Sequence, residues 1–178
     1  KGIPTHLVPE KITQYRDTEH TDELPENTDR FIFEHVSCGL NHTLMLSRDG
    51  RVFSFGNGDY GQLGHATFTS ERSARPIKGL KDVIEIWCCE NSSYVRLKCG
   101  STFAFGDNNY FKLGVDRSIN QSTLVYRPIK SQIPPDHRII PGFFMTTTID
   151  QQGFVHIVGD LYLYIPGKKS ITGNTGLN

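Results

Sequence analysis

The chain has 178 residues, 37% hydrophobic and 21% charged, with 19 basic side chains balancing 19 acidic ones. That makeup fits one globular domain or part of one. Lacking an apolar run of about 18 residues it offers no bilayer span, zero net charge argues against a general nucleic-acid binder, and the apolar content is too ordinary for a disordered chain. Seventeen glycines are the one unusual count, and their spacing is periodic.

From the N-terminus, Pro9 and Ile12 form a proline-led apolar step, and Asp17, Glu19, Asp22, Glu23, Glu26 and Asp29 then follow with no Lys or Arg among them. A strand is expected to end at Val36. Next comes Cys38-Gly39-Leu40-Asn41-His42-Thr43-Leu44-Met45-Leu46, then the turn Arg48-Asp49-Gly50, then Arg51-Val52-Phe53-Ser54-Phe55-Gly56 and a loop holding Gly61-Gln62-Leu63-Gly64. Fifty residues later the pattern returns, from Cys88-Cys89 through Gly100 to Phe103-Ala104-Phe105-Gly106 and on to Leu113-Gly114. A more worn third copy places Gly142, Gly153 and Gly159 103 residues after Gly39, Gly50 and Gly56. Pro76-Ile77 and Pro128-Ile129 repeat the proline-led step ahead of the later copies.

Within a copy the period is two. Phe53 and Phe55, like Phe103 and Phe105, share one face of a strand, and Leu44 alternates with Leu46 in the same way. Gly50, Gly100 and Gly153 fall where a tight hairpin needs positive φ. Each unit is expected to hold four short antiparallel strands: one ending near Val36, His42 to Leu46, Val52 to Phe55, and a short edge near the proline. No segment shows an amphipathic helix. A four-stranded unit recurring at this period predicts an all-β fold of β-propeller blades. The expected units are 1–35 (a lead-in strand with the acidic insertion 17–29), 36–85, 86–138, and a degenerate or truncated 139–178. Three blades do not close a ring, which takes about 4–8. The chain, which begins at Lys1, is therefore expected to be a fragment, or to be completed by the rest of the propeller or another chain.

Cys38-Gly39-x-x-His42-Thr43, Gly50-x-Val52-Phe53-x-Phe55-Gly56 and Gly61-Gln62-Leu63-Gly64 together resemble the repeat of the regulator of chromosome condensation family. The resemblance covers roughly residues 1–165 and implies about three blades of a seven-bladed ring. It also implies protein-interaction roles: guanine nucleotide exchange factor or regulator for a small GTPase, or alternatively scaffold or substrate-recognition propeller of a larger protein such as a ubiquitin ligase or ciliary protein. The second copy departs from the pattern, with Cys89 for Gly39, Ser92 for His42 and Phe111-Lys112 for Gly61-Gln62. No exchange-factor contact residue can be matched to this chain.

No catalytic site is expected. Gly56-x-Gly58-x-x-Gly61 fits a dinucleotide fingerprint, but nothing after it has helical period to meet a pyrophosphate. His42 gives way to Ser92 and then Met145, which suits packing, with its ring bonded to nearby backbone, better than catalysis. Gly39, His42, Gly50, Gly56, Gly61, Gly64, Gly100, Gly106, Gly114, Gly142, Gly153 and Gly159 are read as structural repeat positions. The four cysteines include no C-x-x-C pair, so neither metal nor cofactor is expected, and reduced thiols suit a protein of the cytoplasm or nucleus. The acidic stretch is the candidate partner-binding segment. Pro9 to Gly39 spans 30 residues, against 13 from Pro76 to Cys89, so an insertion carries all six acids. Without them the balance over the rest is +6, too scattered to predict nucleic-acid contact.

Overall fold

In a computed structural model, the structure describes residues 32–116, 118, 123–163 and 171–174. Sheet one is a meander of β1 (Phe33–Cys38), β2 (His42–Ser47), β3 (Val52–Gly56) and β4 (Glu71–Pro76). Sheet two repeats it with β5 (Val83–Cys89), β6 (Ser92–Leu97), β7 (Thr102–Asp107) and β8 (Leu124–Lys130). Sheet three holds β9 (Arg138–Pro141), β10 (Thr146–Ile149) and β11 (Val155–Val158) among the described residues. A hairpin of β12 (Asp160–Leu163) and β13 (Ile171–Asn174) follows. The all-β blade architecture expected from the period-two pattern is present.

The repeat extends to the irregularities. His42 pairs with Gly56 and Ser92 with Gly106. The first strand of each full sheet slips register between Phe33 and His35 or between Val83 and Glu85, and the third slips between Ser54 and Gly56 or between Ala104 and Gly106. Such bulges add local twist to a strand, and here they sit at matching places in both sheets. The proline-led step is one point where sequence equivalence and structural equivalence part. Arg75-Pro76-Ile77-Lys78 and Arg127-Pro128-Ile129-Lys130 are identical in sequence, yet Phe53 pairs with Pro76 whereas Phe103 pairs with Lys130. Between the paired Gly56 and Glu71 lie 14 residues and between the equivalent Gly106 and Val125 lie 18, so the fourth strand is reached by different residues and the tetrapeptide enters the ladder two positions early. The third such step, Pro9 with Ile12, lies outside the described residues.

The sheets pack face to face. β5 lies against β1 and β2, and β9 against β5, so the first strands of successive sheets adjoin. Leu44, Leu46 and Val52 join Val95, Phe105, Tyr94, Ile139 and Val158 in one core running through all three sheets. On the other side of sheet one, Met45, Phe53 and Ala74 form a second cluster, with Phe33 edge-on to Phe53 at 5.4 Å. Ile86 and Ile139, each on the flank facing the sheet before, are 8% and 3% exposed. The corresponding Val36 on sheet one, opposite Met45, is 60% exposed. An apolar side chain on the face that a preceding blade would cover is what an open arc of a ring requires.

Candidate protein-interaction face

In these meanders the β1–β2 and β3–β4 connections leave from one end of the sheet, while the β2–β3 turn and the link to the next sheet lie at the other. The second end is mostly charged: Arg48, Asp49 and Arg51 at one turn, Lys81 and Asp82 at the link, Lys98 at the next turn. The first end carries most of the exposed aromatics. Tyr60, Phe68, Tyr110, Tyr126, Phe143 and Phe144 all emerge there, whereas Phe154 is the exposed aromatic at the charged end among the described residues.

Three of these rings form a ledge across the junction of sheets two and three. Tyr110 meets Phe144 edge-on at 5.6 Å, and Phe143 lies 4.4 Å from Phe144. Both phenylalanines are 54% exposed. Tyr110 sits in a 3-10 turn, Asn109–Phe111, in which Tyr110 and Phe111 have φ of 62° and 55°. A left-handed backbone at two consecutive bulky residues costs on the order of 1 kcal/mol each. Strain of this kind persists only where surrounding contacts over-determine the loop.

Those contacts lie directly beneath. Lys112 is almost wholly buried and donates from Nζ to Asp107 Oδ2 at 2.7 Å and to the Phe143 carbonyl at 3.0 Å, with Glu90 Oε2 at 3.7 Å. Asp107 Oδ1 accepts from the Asn109 amide and Asn108 Oδ1 from the Leu113 amide, which pins both ends of the turn. The Tyr94 hydroxyl, fully buried, bonds the Lys112 carbonyl and Thr146 Oγ1, tying the same loop to sheet three. The ledge thus rests on a buried ion pair whose cation also fixes the Phe143 backbone. Sheet one solves the same problem without charge: Gln62 Nε2 donates to Asn57 Oδ1 at 2.8 Å.

The repeat positions fall at contacts within and between sheets. A Cβ at Gly64 would press on the Phe105 ring, one at Gly114 on Val158, and one at Gly61 on the Tyr126 backbone. Gly56 and Gly106 pass close to the carbonyls of Asn41 and Asn91 at positive φ. Gly39 leaves room for the His42 ring and the Glu90 carbonyl; in sheet two Cys89 and Ser92 replace that glycine and that histidine together. Gly142 meets the Met145 carbonyl, Gly159 the Tyr110 carbonyl, and Gly50 and Gly100 the Asp82 and Pro135 linkers. Gly153 has positive φ and open space around it.

His42 is buried and bonds the Ser93 hydroxyl of the next sheet at 2.8 Å, with the Glu90 backbone carbonyl also against its ring. Ser93 itself donates to the Gln62 carbonyl. His42 Nε2 must then carry the proton, and Nδ1 has no hydrogen-bond partner. Burial holds its pKa down to about 4, the Glu90 carbonyl opposing. Burial likewise takes His65, bonded to Ser54, to about 4. A histidine neutral in the fold but protonated when unfolded removes stability as pH falls from about 6.5 to about 4, on the order of 3 kcal/mol for His42. Urea denaturation across that window should show the loss, and His42→Ser should roughly halve the slope. An unchanged slope would contradict a neutral buried ring.

The Gly56–Gly61 loop leads into no helix among the described residues, so the pyrophosphate requirement is unmet. All four cysteines are free, and burial pushes the Cys88 thiol up to about 12. Among the described residues no group of His, Cys, Asp and Glu could hold a metal ion, and no helix is long and apolar enough to cross a membrane. Asp17, Glu19, Asp22, Glu23, Glu26 and Asp29 lie outside the described residues. Sequence reasoning missed the aromatic ledge. Its available signal was Phe143-Phe144 standing where the first copy has Leu40-Asn41, a loop position that a packed core does not need.

Two family models, both described as the regulator of chromosome condensation (RCC1) repeat, match residues 33–62 and 49–95. A Danio rerio protein named as an RCC2 homolog is 38% identical over 78 residues, which cover 42% of this chain and 16% of that protein. The Mus musculus X-linked retinitis pigmentosa GTPase regulator is 39% identical over 83 residues, covering 45% of this chain and 8% of that protein. Among solved structures, Prp20p of Saccharomyces cerevisiae is similar with a TM-score of 0.62 and 26% identity, covering 74% of this chain and 32% of that one. Human WBSCR16, at 24% identity and a TM-score of 0.60, shares the fold over 71% of this chain and 33% of its own. The chain spans less than a fifth of these curated relatives and about a third of the solved propellers. With repeated four-stranded sheets, matching bulges and two matched repeat models, residues 33–95 carry repeats of the regulator of chromosome condensation (RCC1) type, and the chain forms an arc of a β-propeller.

Proposed function

We propose that this chain is a non-catalytic protein-interaction module that regulates a protein partner, a small GTPase being the first to test, through the loop end of its blades. The observation that carries the reading is the exposed ledge of Tyr110, Phe143 and Phe144, held rigid by the buried Lys112. Rigid aromatics lose little entropy on docking and dominate many interfaces. An exchange factor needs no triad; it binds the nucleotide-free GTPase better than the loaded one and shifts the population accordingly. The similarity to Prp20p, whose structure is described with its binding to Gsp1p and histones, supports a protein partner, as does the relative named a GTPase regulator. The four free thiols suit work in the cytoplasm or nucleus.

Nucleotide release from a panel of loaded small GTPases tests the exchange role: acceleration by the chain supports it, and no acceleration at micromolar concentration ends it. For the responding partner, Phe143→Ala with Phe144→Ala should weaken binding at least thirtyfold, about 2 kcal/mol or more for a pair of anchors. Unchanged affinity would move the interface off the ledge. A second reading, the recognition propeller of a much larger protein, draws on the Homo sapiens ubiquitin-protein ligase HERC2, 30% identical over a stretch that is 2% of its length. The acidic residues 17–29 belong to either reading as a basic-partner contact. Their deletion should weaken association most at low salt.

A further inference from the structure

We propose that the Phe143–Phe144 rings and the Glu90 carboxylate beside them bind an arginine side chain presented by a protein partner. This site is part of the proposed interaction face and stands only if that reading does. Leu40, Glu90 and Phe143 hold one place in the repeat, in the connection after the first strand of each sheet. The Leu40 amide donates to the Glu90 carbonyl at 2.8 Å. Glu90 Oε2 and the Phe143 carbonyl in turn meet the same Lys112 Nζ, at 3.7 and 3.0 Å, so the three residues adjoin across the loop end. Leu40 and Phe143 are exposed apolar side chains, and the second copy alone puts an acid in this row.

Lys112 does not use that acid up. Its hydrogen bonds go to Asp107 and the Phe143 carbonyl, and 3.7 Å to Glu90 is too long for another. One cation therefore faces two carboxylates, and the Glu90 side chain keeps 19% of its surface exposed. Among the described residues, the connections at this end carry Asp59, Glu90 and Asp116, and the buried Lys112 is their one Lys or Arg. Arginine suits rings beside a carboxylate: its planar guanidinium stacks on an aromatic face while its edge donates to the acid. Phe143 and Phe144, 4.4 Å apart and tilted by 58°, offer such faces. A lysine ammonium, a more strongly hydrated point charge, gains less from them.

The test uses the whole chain and fluorescent hexaarginine, with hexacitrulline, its neutral isostere, and hexalysine as comparators. Hexaarginine should bind saturably and shift the Asn91 and Phe144 amides, and hexacitrulline should bind about tenfold more weakly or worse. Glu90→Gln should lower hexaarginine affinity by about fivefold or more. That variant leaves the 2.7 Å Lys112–Asp107 pair in place, and circular dichroism checks its fold. Asp49→Asn, the same charge change at the opposite end of sheet one, should leave affinity within about twofold. Absence of the two amide shifts, unchanged affinity in Glu90→Gln, or an equal loss in Asp49→Asn would overturn the arginine site. If Phe143→Ala with Phe144→Ala still lowers partner affinity in that case, the ledge survives as a contact face without it. Unchanged hexaarginine affinity in the aromatic variant would also overturn the site, and hexalysine binding as tightly as hexaarginine would overturn its assignment to a guanidinium.

Discussion

Replacing Lys112 by methionine should destabilise the chain by about 3–5 kcal/mol, the usual cost of stranding one partner of a buried ion pair. The loss is concentrated because Nζ serves two groups: the Asp107 carboxylate would keep its charge with its 2.7 Å partner gone, and the Phe143 carbonyl would lose its donor. Urea denaturation measures the effect, and a change below about 1 kcal/mol would show that Lys112 is better solvated than its burial implies. The neutral solution of sheet one supplies the control. Asp107→Asn with Lys112→Gln transplants the Asn57–Gln62 pair into the second blade, and should recover all but about 1–2 kcal/mol, because the 2.7 Å pair is then neutral and the partly exposed Glu90 carboxylate is the one charge that loses a partner. The ledge should respond separately. If the Lys112–Phe143 bond holds Phe143 in place, the recovered double variant should still lose partner affinity, since a shorter glutamine need not reach that carbonyl.

The blade itself was legible because the forces that build it act at short range along the chain. Phe53 and Phe55, or Phe103 and Phe105, reveal a strand by alternation, and Gly50 or Gly100 marks the turn that a left-handed backbone requires. The strand from His42 and the glycines that punctuate the repeat therefore follow from local pattern. Register across the outer edge did not. The identical Arg-Pro-Ile-Lys tetrapeptides enter their ladders two positions apart because the preceding loops differ in length, and ladder position is set by the whole connection rather than by the residues themselves. The ledge was illegible for a related reason. It assembles side chains from two sheets, and whether Phe143 is exposed depends on a neighbour distant in sequence. The exchange of Asn57 and Gln62 for Asp107 and Lys112 was open to view, since both members change together between copies. Its meaning needed the 2.7 Å contact that makes them a pair.

Gly61→Ala should cost about 2–4 kcal/mol, whereas Gly153→Ala should cost only about 1, although both glycines have positive φ. At Gly153 the φ of +88° is the whole difficulty, because nothing lies within 4 Å of a new Cβ. At Gly61 the φ of +79° adds to a collision, a Cβ falling 2.5 Å from the Tyr126 Cα and 2.9 Å from its amide nitrogen. That neighbour is backbone of the next sheet and cannot rotate away, so the two sheets must separate, an overpacking cost of about 1–3 kcal/mol. Phe111 stands where the second copy should have this glycine, and it keeps positive φ at 55°. A left-handed backbone alone therefore does not demand glycine at this point of the blade. Tyr126, which Gly61 must accommodate, belongs to the fourth strand of the following sheet, and sheet three has no fourth strand among the described residues. Equal denaturation midpoints for Gly61→Ala and Gly153→Ala would show that the turn, not the approach of neighbouring blades, sets the requirement. A clear gap between them would identify Gly61 as the position where one blade is fitted to the next.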